Sequence, residues 1–224
     1  MFQVRRSKDR GRTNWGWLES RHTFSFGEYH DPDHVGFGSL RVSNDDREKS
    51  GAGFGTHGHR DMEIISYLLE GGFAHKDSMA VSLVLRPGEV QLMRASTGIE
   101  HSEFNQSKTE PIHSLQIWTV PGARGLSPAH GQQPVDQKSA RESFALLASK
   151  DGRQGSLRIH QDADVLCARF APGDCREFSL DPGRHARVHI ATGSVLVDGV
   201  PMDEGDGAGV SNETTSEVLL FDLA

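Results

Sequence analysis

The 224-residue sequence contains no long hydrophobic run and no cluster of basic residues. Its longest stretch without Asp, Glu, Lys or Arg is the 13-residue segment 111–123, whereas a membrane-spanning helix needs about 20 apolar residues. No apolar segment follows Arg5 and Arg6, so we expect no secretion signal. The formal net charge of −7 argues against nucleic acid or an anionic membrane as a direct partner.

Cysteine is also scarce. Cys167 and Cys175 are the only two cysteines, and two thiols without an export signal are typical of reduced side chains in the cytoplasm. A chain of this length buries enough apolar surface to fold without a disulfide or a metal. We therefore expect a cytoplasmic protein whose folding depends on neither.

Helical periodicity is rare, whereas alternation of apolar and polar residues is common. Short aliphatic and β-branched runs stop at turn signals such as Arg86-Pro87-Gly88 and Pro121-Gly122. The predicted strands are 40–44, 62–70, 79–85, 90–94, 112–120, 156–160, 165–170, 187–191, 194–197 and 217–223. This pattern predicts an all-β sandwich or barrel.

The polar segment 122–139, which contains Gly and Pro, separates two groups of predicted strands. We interpret it as a connection between two domains. Segments 66–72 and 189–195 have similar patterns, which suggests two copies of one β-unit.

Two short motifs concentrate residues that can bind a metal. His57 and His59 form H-x-H, and His101 and Glu103 form H-x-E. Alternate residues of a strand share a face, so two such strands facing each other would present three imidazoles and one carboxylate. That donor set suits a divalent transition ion and leaves positions open for water, substrate or O₂. Each pair taken alone is better explained as a solvated polar strand face.

Longer stretches around these pairs resemble the two cupin motifs in the form found in the pirin family. The segments that carry the resemblance are 16–18, 22–26, 54–63, 77–79, 97–105, 116–118 and 155–162. The resemblance is dense between about residues 10 and 120 and thinner beyond.

The resemblance implies a bicupin, in which two double-stranded β-helix barrels pack face to face. We place an N-terminal metal-binding cupin at 1–125, a linker at 126–139 and a C-terminal cupin-like domain at 140–224. In the pirin pattern the metal ligands are His57, His59, His101 and Glu103, whereas Glu63, at the carboxylate position of many other cupins, is not a ligand. One divalent transition ion is implied. Fe(II) is the expected ion, and Ni, Mn, Cu, Co and Zn are alternatives.

The second half does not repeat the donor set. When Gly193 is matched to Gly71, Ser179 and Asp181 fall at the positions of His57 and His59. When Gly205 is matched to Gly88, Val218 and Leu220 fall at the positions of His101 and Glu103. We therefore expect no metal site in the C-terminal domain.

The resemblance implies a dioxygenase that opens flavonols such as quercetin with O₂. Glu103 would accept the proton of the substrate hydroxyl, and Phe54, Met93 and Phe104 are candidate walls of a flat slot. The alternative is a non-enzymatic, metal-dependent, redox-sensing regulator that binds a protein partner. Cupin barrels also host sugar isomerases, but these motifs place no additional base.

The remaining histidines carry simpler expectations. We expect His22 and His113 to be hydrogen-bonded structural groups in strands, and His130 to lie in the linker. For His75 we expect a hairpin position, at the surface or near the barrel mouth.

Overall fold

The computed structural model describes residues 2–211 and 221–223, and β-strands dominate it. The strands are β1 (Phe2–Arg5), β2 (Gly11–Asn14), β3 (Leu18–His22), β4 (Leu40–Glu48), β5 (Gly53–His59), β6 (Glu63–Glu70), β7 (Phe73–Asp77), β8 (Ser82–Leu85), β9 (Glu89–Arg94), β10 (Ile99–Asn105), β11 (Ile112–Thr119), β12 (Ala129–Pro134), β13 (Ala145–Ser149), β14 (Leu157–Arg158), β15 (Ala163–Cys167), β16 (His185–His189), β17 (Ser194–Val197), β18 (Val200–Asp203), β19 (Gly207–Ser211) and β20 (Phe221–Leu223). The helices are α1 (Gln137–Glu142) and two 3₁₀ turns, Ser7–Asp9 and Arg153–Gly155. The predicted all-β class is confirmed.

The chain divides into two compact units. The first unit comprises Gly11–Gly36 and Leu40–Pro134, and the second comprises Met1–Arg10, Phe37–Ser39 and Val135–Ala224. Residues 2–10 thus belong with the C-terminal half, and β1 pairs with β19. Residues 126–139, predicted to be a linker, contain β12 and the start of α1, and β12 pairs with β9.

The first unit consists of two antiparallel sheets. One has the strand order β12-β9-β6-β11-β4-β3-β2 and the other has the order β5-β10-β7-β8. Strand β6 is buried over most of its length, in keeping with its aliphatic sequence EIISYLLE. Gly71 ends this strand with a φ of +86°, and a Cβ there would lie 2.5 Å from the carbonyl oxygen of Pro111, so the turn requires glycine.

Two clusters of buried apolar residues pack within the first unit. One contains Leu68, Phe73, Leu85 and Ile112, and the other contains Ile64, Met93, Ala95 and Ile99. Both join residues from several strands, so apolar packing holds the unit together without help from the polar side chains described below.

The second unit has a seven-stranded sheet, β1-β19-β16-β20-β15-β13-β14, and the hairpin β17-β18. Its core cluster consists of Ala186, Val188, Ile190, Val197, Met202, Ala208 and Val210. Only the end of the predicted strand 217–223 can be compared, because 217–220, with Val218 and Leu220, lie outside the described residues. Residues 221–223 form β20.

The predicted strand 79–85 starts three residues late in the structure, at Ser82. The cause is a turn in which Ala80 has a φ of +63°. One carboxylate oxygen of Asp77 accepts hydrogen bonds from the backbone N–H groups of Met79 (2.9 Å) and Val81 (3.1 Å). This side-chain cap replaces ladder pairing with a turn, as Asp commonly does.

Within the described ranges, none of the helices has the length and apolar character that crossing a membrane requires.

Candidate metal centre

Strands β5 and β10 bring three histidines to one face of the smaller sheet of the first unit. His57 lies directly opposite His101 in the antiparallel register, and directly paired residues share a face. His59 follows two residues after His57 and therefore lies on the same face. The Nε2 atoms of His57 and His101 are 3.1 Å apart, and the ring centroid of His59 lies 4.8 Å from that of His101.

A change of register between β5 and β10 separates the histidine pair from the carboxylate. Regular pairing would place Glu103 opposite Gly55, two residues along β5 from His57. Glu103 lies opposite Phe54 instead, because β5 accommodates one extra residue there. Such bulges redirect side chains and are frequent beside functional sites. The local sequence, with Gly53, Gly55 and Gly58 in β5, permits this irregular backbone.

In the part of the chain that the structure describes, two overlapping groups of side chains could hold a metal ion. The ligand atoms of His57, His59 and His101 lie within 4.8 Å of one another, and so do those of His75, His101 and Glu103. The structure therefore gathers three of the four predicted ligands into one group. Glu103 stands beside the other ring nitrogen of His101, with 3.4 Å between its Oε1 and Nδ1. Neither group includes Glu63.

The structure places His75 differently from the position that we expected from the sequence. It is buried in β7 rather than at the surface, and it lies opposite Glu103 while Asp77 lies opposite His101. Its Nε2 is 3.2 Å from an Asp77 oxygen and its Nδ1 is 3.4 Å from the Nδ1 of His101. The H-x-D spacing of His75 and Asp77 was the available signal, since it follows the same alternation rule as the two recognised pairs.

The larger sheet of the first unit adds two further residues that sequence reasoning did not assign to the site. Gln116 in β11 donates a 3.5 Å hydrogen bond from its Nε2 to Glu103. Trp118 donates to the Oε1 of Gln116 (3.4 Å), and its ring packs edge-on against His59 at 4.8 Å. These contacts restrict the orientation of one imidazole and of the carboxylate.

Burial keeps two of the imidazoles neutral. It lowers the pKa of His59 to about 4, with a smaller contribution from His57. It also lowers the pKa of His101 to about 2, and His57, His59 and His75 lower it further by charge repulsion. A neutral imidazole keeps the lone pair that metal binding requires.

Glu103 has two carboxylate neighbours, Glu48 and Asp46. Burial, with repulsion from Glu48 and Asp46, raises the pKa of Glu103 to about 8, although the hydrogen bond from Gln116 opposes the rise. Burial and repulsion from Asp46 likewise raise the pKa of Glu48 to about 8. This concentration of buried carboxylates favours a cation in their neighbourhood.

Aromatic side chains lie beside His57. The ring centroid of Phe54 is 6.0 Å from that of His57 and 5.0 Å from that of Trp17, which in turn neighbours the exposed Trp15. The other two candidate slot residues differ. Met93 belongs to a buried apolar cluster, and Phe104 is exposed because it points away from Glu103 on the same strand.

The predicted structural histidines are confirmed as hydrogen-bonded groups. The Nδ1 of His22 lies 2.9 Å from the Oδ1 of Asn44, and the Nε2 of His113 lies 2.8 Å from Asp45. His130 lies in β12, where its ring centroid is 5.2 Å from that of His75.

The residues present fit a transition-metal ion. Three imidazole donors converge, and the Nδ1–H of His57 donates to the carbonyl of Gly55 (2.8 Å), which leaves its Nε2 lone pair directed at the group. Imidazoles with a carboxylate nearby are the donors that ions such as Fe(II) and Ni(II) accept. The fold and this donor set together define a metal-binding cupin.

Comparison with known proteins specifies the family. The Pirin family profile matches residues 3–119, and the profile of the quercetinase C-terminal cupin domain matches residues 146–223. The quercetin 2,3-dioxygenase of Escherichia coli K12 is 41% identical over 231 residues, which cover 100% of this chain and 99% of that protein. The chain belongs to the pirin family.

Solved structures agree with this assignment. The bacterial pirin YhhW from Escherichia coli, crystallised in complex with nickel(II), has a TM-score of 0.92 and 40% identity over 100% of this chain and 99% of its own. A quercetin 2,3-dioxygenase from Acinetobacter baumannii shares the fold at a TM-score of 0.71 and 17% identity, covering 99% and 75% of the two chains. The predicted bicupin fold is confirmed.

Proposed function

We propose that the first unit binds one divalent transition ion through His57, His59, His101 and Glu103. Three converging imidazoles, two of them with a lowered pKa, support the histidine ligands. Glu103 shares a strand face with His101, and its carboxylate, now 3.4 Å from the Nδ1 of that ring, would turn to reach the ion as the fourth ligand. The nickel(II) complex of the 40% identical bacterial pirin supports a transition ion, and Fe(II) is the ion that we expect in the cell.

We further propose that the protein is a dioxygenase that opens flavonols such as quercetin with O₂. The observation that carries this proposal is the histidine group beside aromatic side chains, in a chain 41% identical to a quercetin 2,3-dioxygenase. A bound divalent ion would supply Lewis-acid stabilisation of a deprotonated substrate oxygen. No organic cofactor is then required.

The chain's own residues take distinct roles in this proposal. Glu103 accepts the proton of the substrate hydroxyl, and Gln116 holds the carboxylate by its hydrogen bond. Phe54 and Trp17, whose rings meet edge to face, offer apolar surface to a planar substrate near His57. Trp118 restrains His59 by ring packing.

Metal reconstitution tests the proposal. The purified protein is loaded without oxygen with Fe(II), Ni(II), Mn(II), Cu(II), Co(II) or Zn(II), and quercetin is added in air. The proposal predicts O₂ uptake together with loss of the flavonol absorbance for at least one ion. Metal binding without uptake for any ion would contradict the dioxygenase and leave the redox-sensing regulator with a protein partner.

Replacing Glu103 with glutamine is expected to keep the fold and weaken Ni(II) affinity about 10–100-fold, the scale for perturbed metal shells. Gln is nearly isosteric but lacks the charge of the ligand oxygen. Calorimetric titration with Ni(II) measures the effect, and Glu100→Gln, an exposed glutamate on the same strand, is the matched control. Unchanged affinity in Glu103→Gln would count against the ligand assignment.

Removing the metal is expected to leave the fold intact, because two apolar clusters hold the first unit together. The β-type circular dichroism should survive chelation, whereas the melting temperature should rise when Ni(II) is added back, since the ion binds the folded state. Loss of the β signal after chelation would show that folding itself needs the ion.

A further inference from the structure

Behind the histidine group, a buried chain of polar contacts runs from Asp77 through His75 to His101. The Asp77–His75 contact is 3.2 Å and the His75–His101 contact is 3.4 Å. The side chains of His75 and Asp77 are both fully buried. Neither residue belongs to the proposed ligand set, so the function described above leaves this pair unexplained.

The contacts at Asp77 fix the hydrogen-bond direction in the first link. One carboxylate oxygen accepts the backbone N–H groups of Met79 and Val81, and the other faces the Nε2 of His75. A carboxylate only accepts, so His75 donates through Nε2–H. The Nδ1 of a neutral His75 is then an acceptor.

The second link follows from the first. The Nδ1 of His101 faces the Nδ1 of His75, which is the acceptor, at 3.4 Å, and the Oε1 of Glu103 lies at the same distance. The proton of His101 therefore belongs on Nδ1, and its Nε2 carries the lone pair. That Nε2 lies 3.1 Å from the Nε2 of His57, whose own Nδ1–H is donated to Gly55. Two lone pairs facing each other at this distance favour a shared cation.

We propose that Asp77 and His75 are positioning residues that set the tautomer of His101 and so prepare its Nε2 for the ion. When Glu103 turns its charge to the ion, His75 is the acceptor that remains for the His101 Nδ1–H. Hydrogen bonds of this kind to a ligand's second nitrogen fix ring orientation and raise its basicity. This inference rests on the proposed metal centre.

Asp77→Asn is the sharpest variant. The asparagine oxygen can still accept from Met79 and Val81, while its NH₂ group now donates to His75. His75 must then carry its proton on Nδ1, facing the Nδ1–H of His101. We expect Ni(II) affinity to fall about 10–100-fold with the fold retained.

Two substitutions at His75 distinguish the loss of its hydrogen-bond acceptor from a change in side-chain volume. His75→Leu removes the acceptor and should weaken Ni(II) binding like Asp77→Asn, whereas His75→Asn, with its oxygen near the place of Nδ1, should stay closer to the wild type. The matched control is Asp45→Asn, which alters the buried Asp45–His113 pair of the same unit and should leave Ni(II) affinity unchanged.

Two measurements on the full chain decide the question. Calorimetry with Ni(II) gives affinity and stoichiometry, and long-range ¹H–¹⁵N NMR of the metal-free protein reads each histidine tautomer directly. We expect His101 protonated on Nδ1 and His75 on Nε2 in the wild type, with the His75 tautomer inverted in Asp77→Asn.

Three results would overturn the inference. They are a wild-type His101 protonated on Nε2, an Asp77→Asn variant with wild-type affinity, and a second Ni(II) per chain that His75→Leu removes, because His75 would then be a ligand. If the wild type binds no Ni(II), the proposed metal centre fails and the positioning role fails with it, whereas the NMR tautomers still test the hydrogen-bond order from Asp77 through His75 to His101.

Discussion

Replacing His59 with alanine is expected to abolish the O₂-dependent loss of quercetin absorbance and to lower Ni(II) affinity on the order of 10²–10³-fold. The substitution removes one of three converging imidazoles. His59 is only partly buried and its contacts are with ring neighbours, so the fold should persist. Calorimetry and oxygen electrode traces measure the two effects.

The matched control is His30→Ala, which removes an exposed histidine of the same unit and should bind Ni(II) like the wild type. A His59→Ala protein with wild-type Ni(II) affinity would contradict the proposed ligand set. A His59→Ala protein that loses Ni(II) affinity but still oxidises the flavonol would show that the oxidation does not need the bound metal. That result would contradict the proposed metal-dependent dioxygenase.

Replacing Glu48 with glutamine is expected to stabilise the metal-free protein increasingly as the pH rises. Glu48 is buried, and its Oε2 has no hydrogen-bond partner among the described residues. Burial, with Asp46, raises its pKa from 4.5 to about 8. Between these pH values the folded state holds a proton that the unfolded state has lost, so wild-type stability falls as the pH rises.

The size of the effect follows from the two pKa values. The rise in the pKa of Glu48 from 4.5 to about 8 lowers the free energy of unfolding of the wild type by at most about 5 kcal/mol at pH 8.5. At pH 4.5 it has little effect. Urea unfolding at pH 5 and pH 8.5 measures it, with the exposed Glu70→Gln as control. A stability difference that does not change between the two pH values would show that Glu48 ionises normally.

Local patterns in the sequence predicted the all-β class and the histidine pairs because side-chain alternation is a local property, although the predicted strands did not include β5 and β10, which carry those pairs. His57 and His59 share a face for that reason, and the antiparallel pairing of β5 with β10 then joins them to His101. The register change that moves Glu103 opposite Phe54 could not be predicted, because a bulge depends on how two distant strands align.

Tertiary packing decided the features that the sequence left open. The polar sequence FAHKD suggested an exposed hairpin, yet β7 lies between β10 and β8, which buries His75 and Asp77. Segment 122–139 looked like a connection because it is polar, but its part 129–134 pairs with β9 as an edge strand. Burial of this kind depends on neighbours far away in the chain.

The most direct test of the metal centre is a crystal structure of the Ni(II)-loaded protein with the ion located by anomalous scattering. We predict one anomalous peak per chain, at about 2.1 Å from the Nε2 atoms of His57 and His101, with His59 and Glu103 completing the protein ligands. A peak elsewhere, or Ni(II)-soaked crystals without a peak among these side chains, would contradict it.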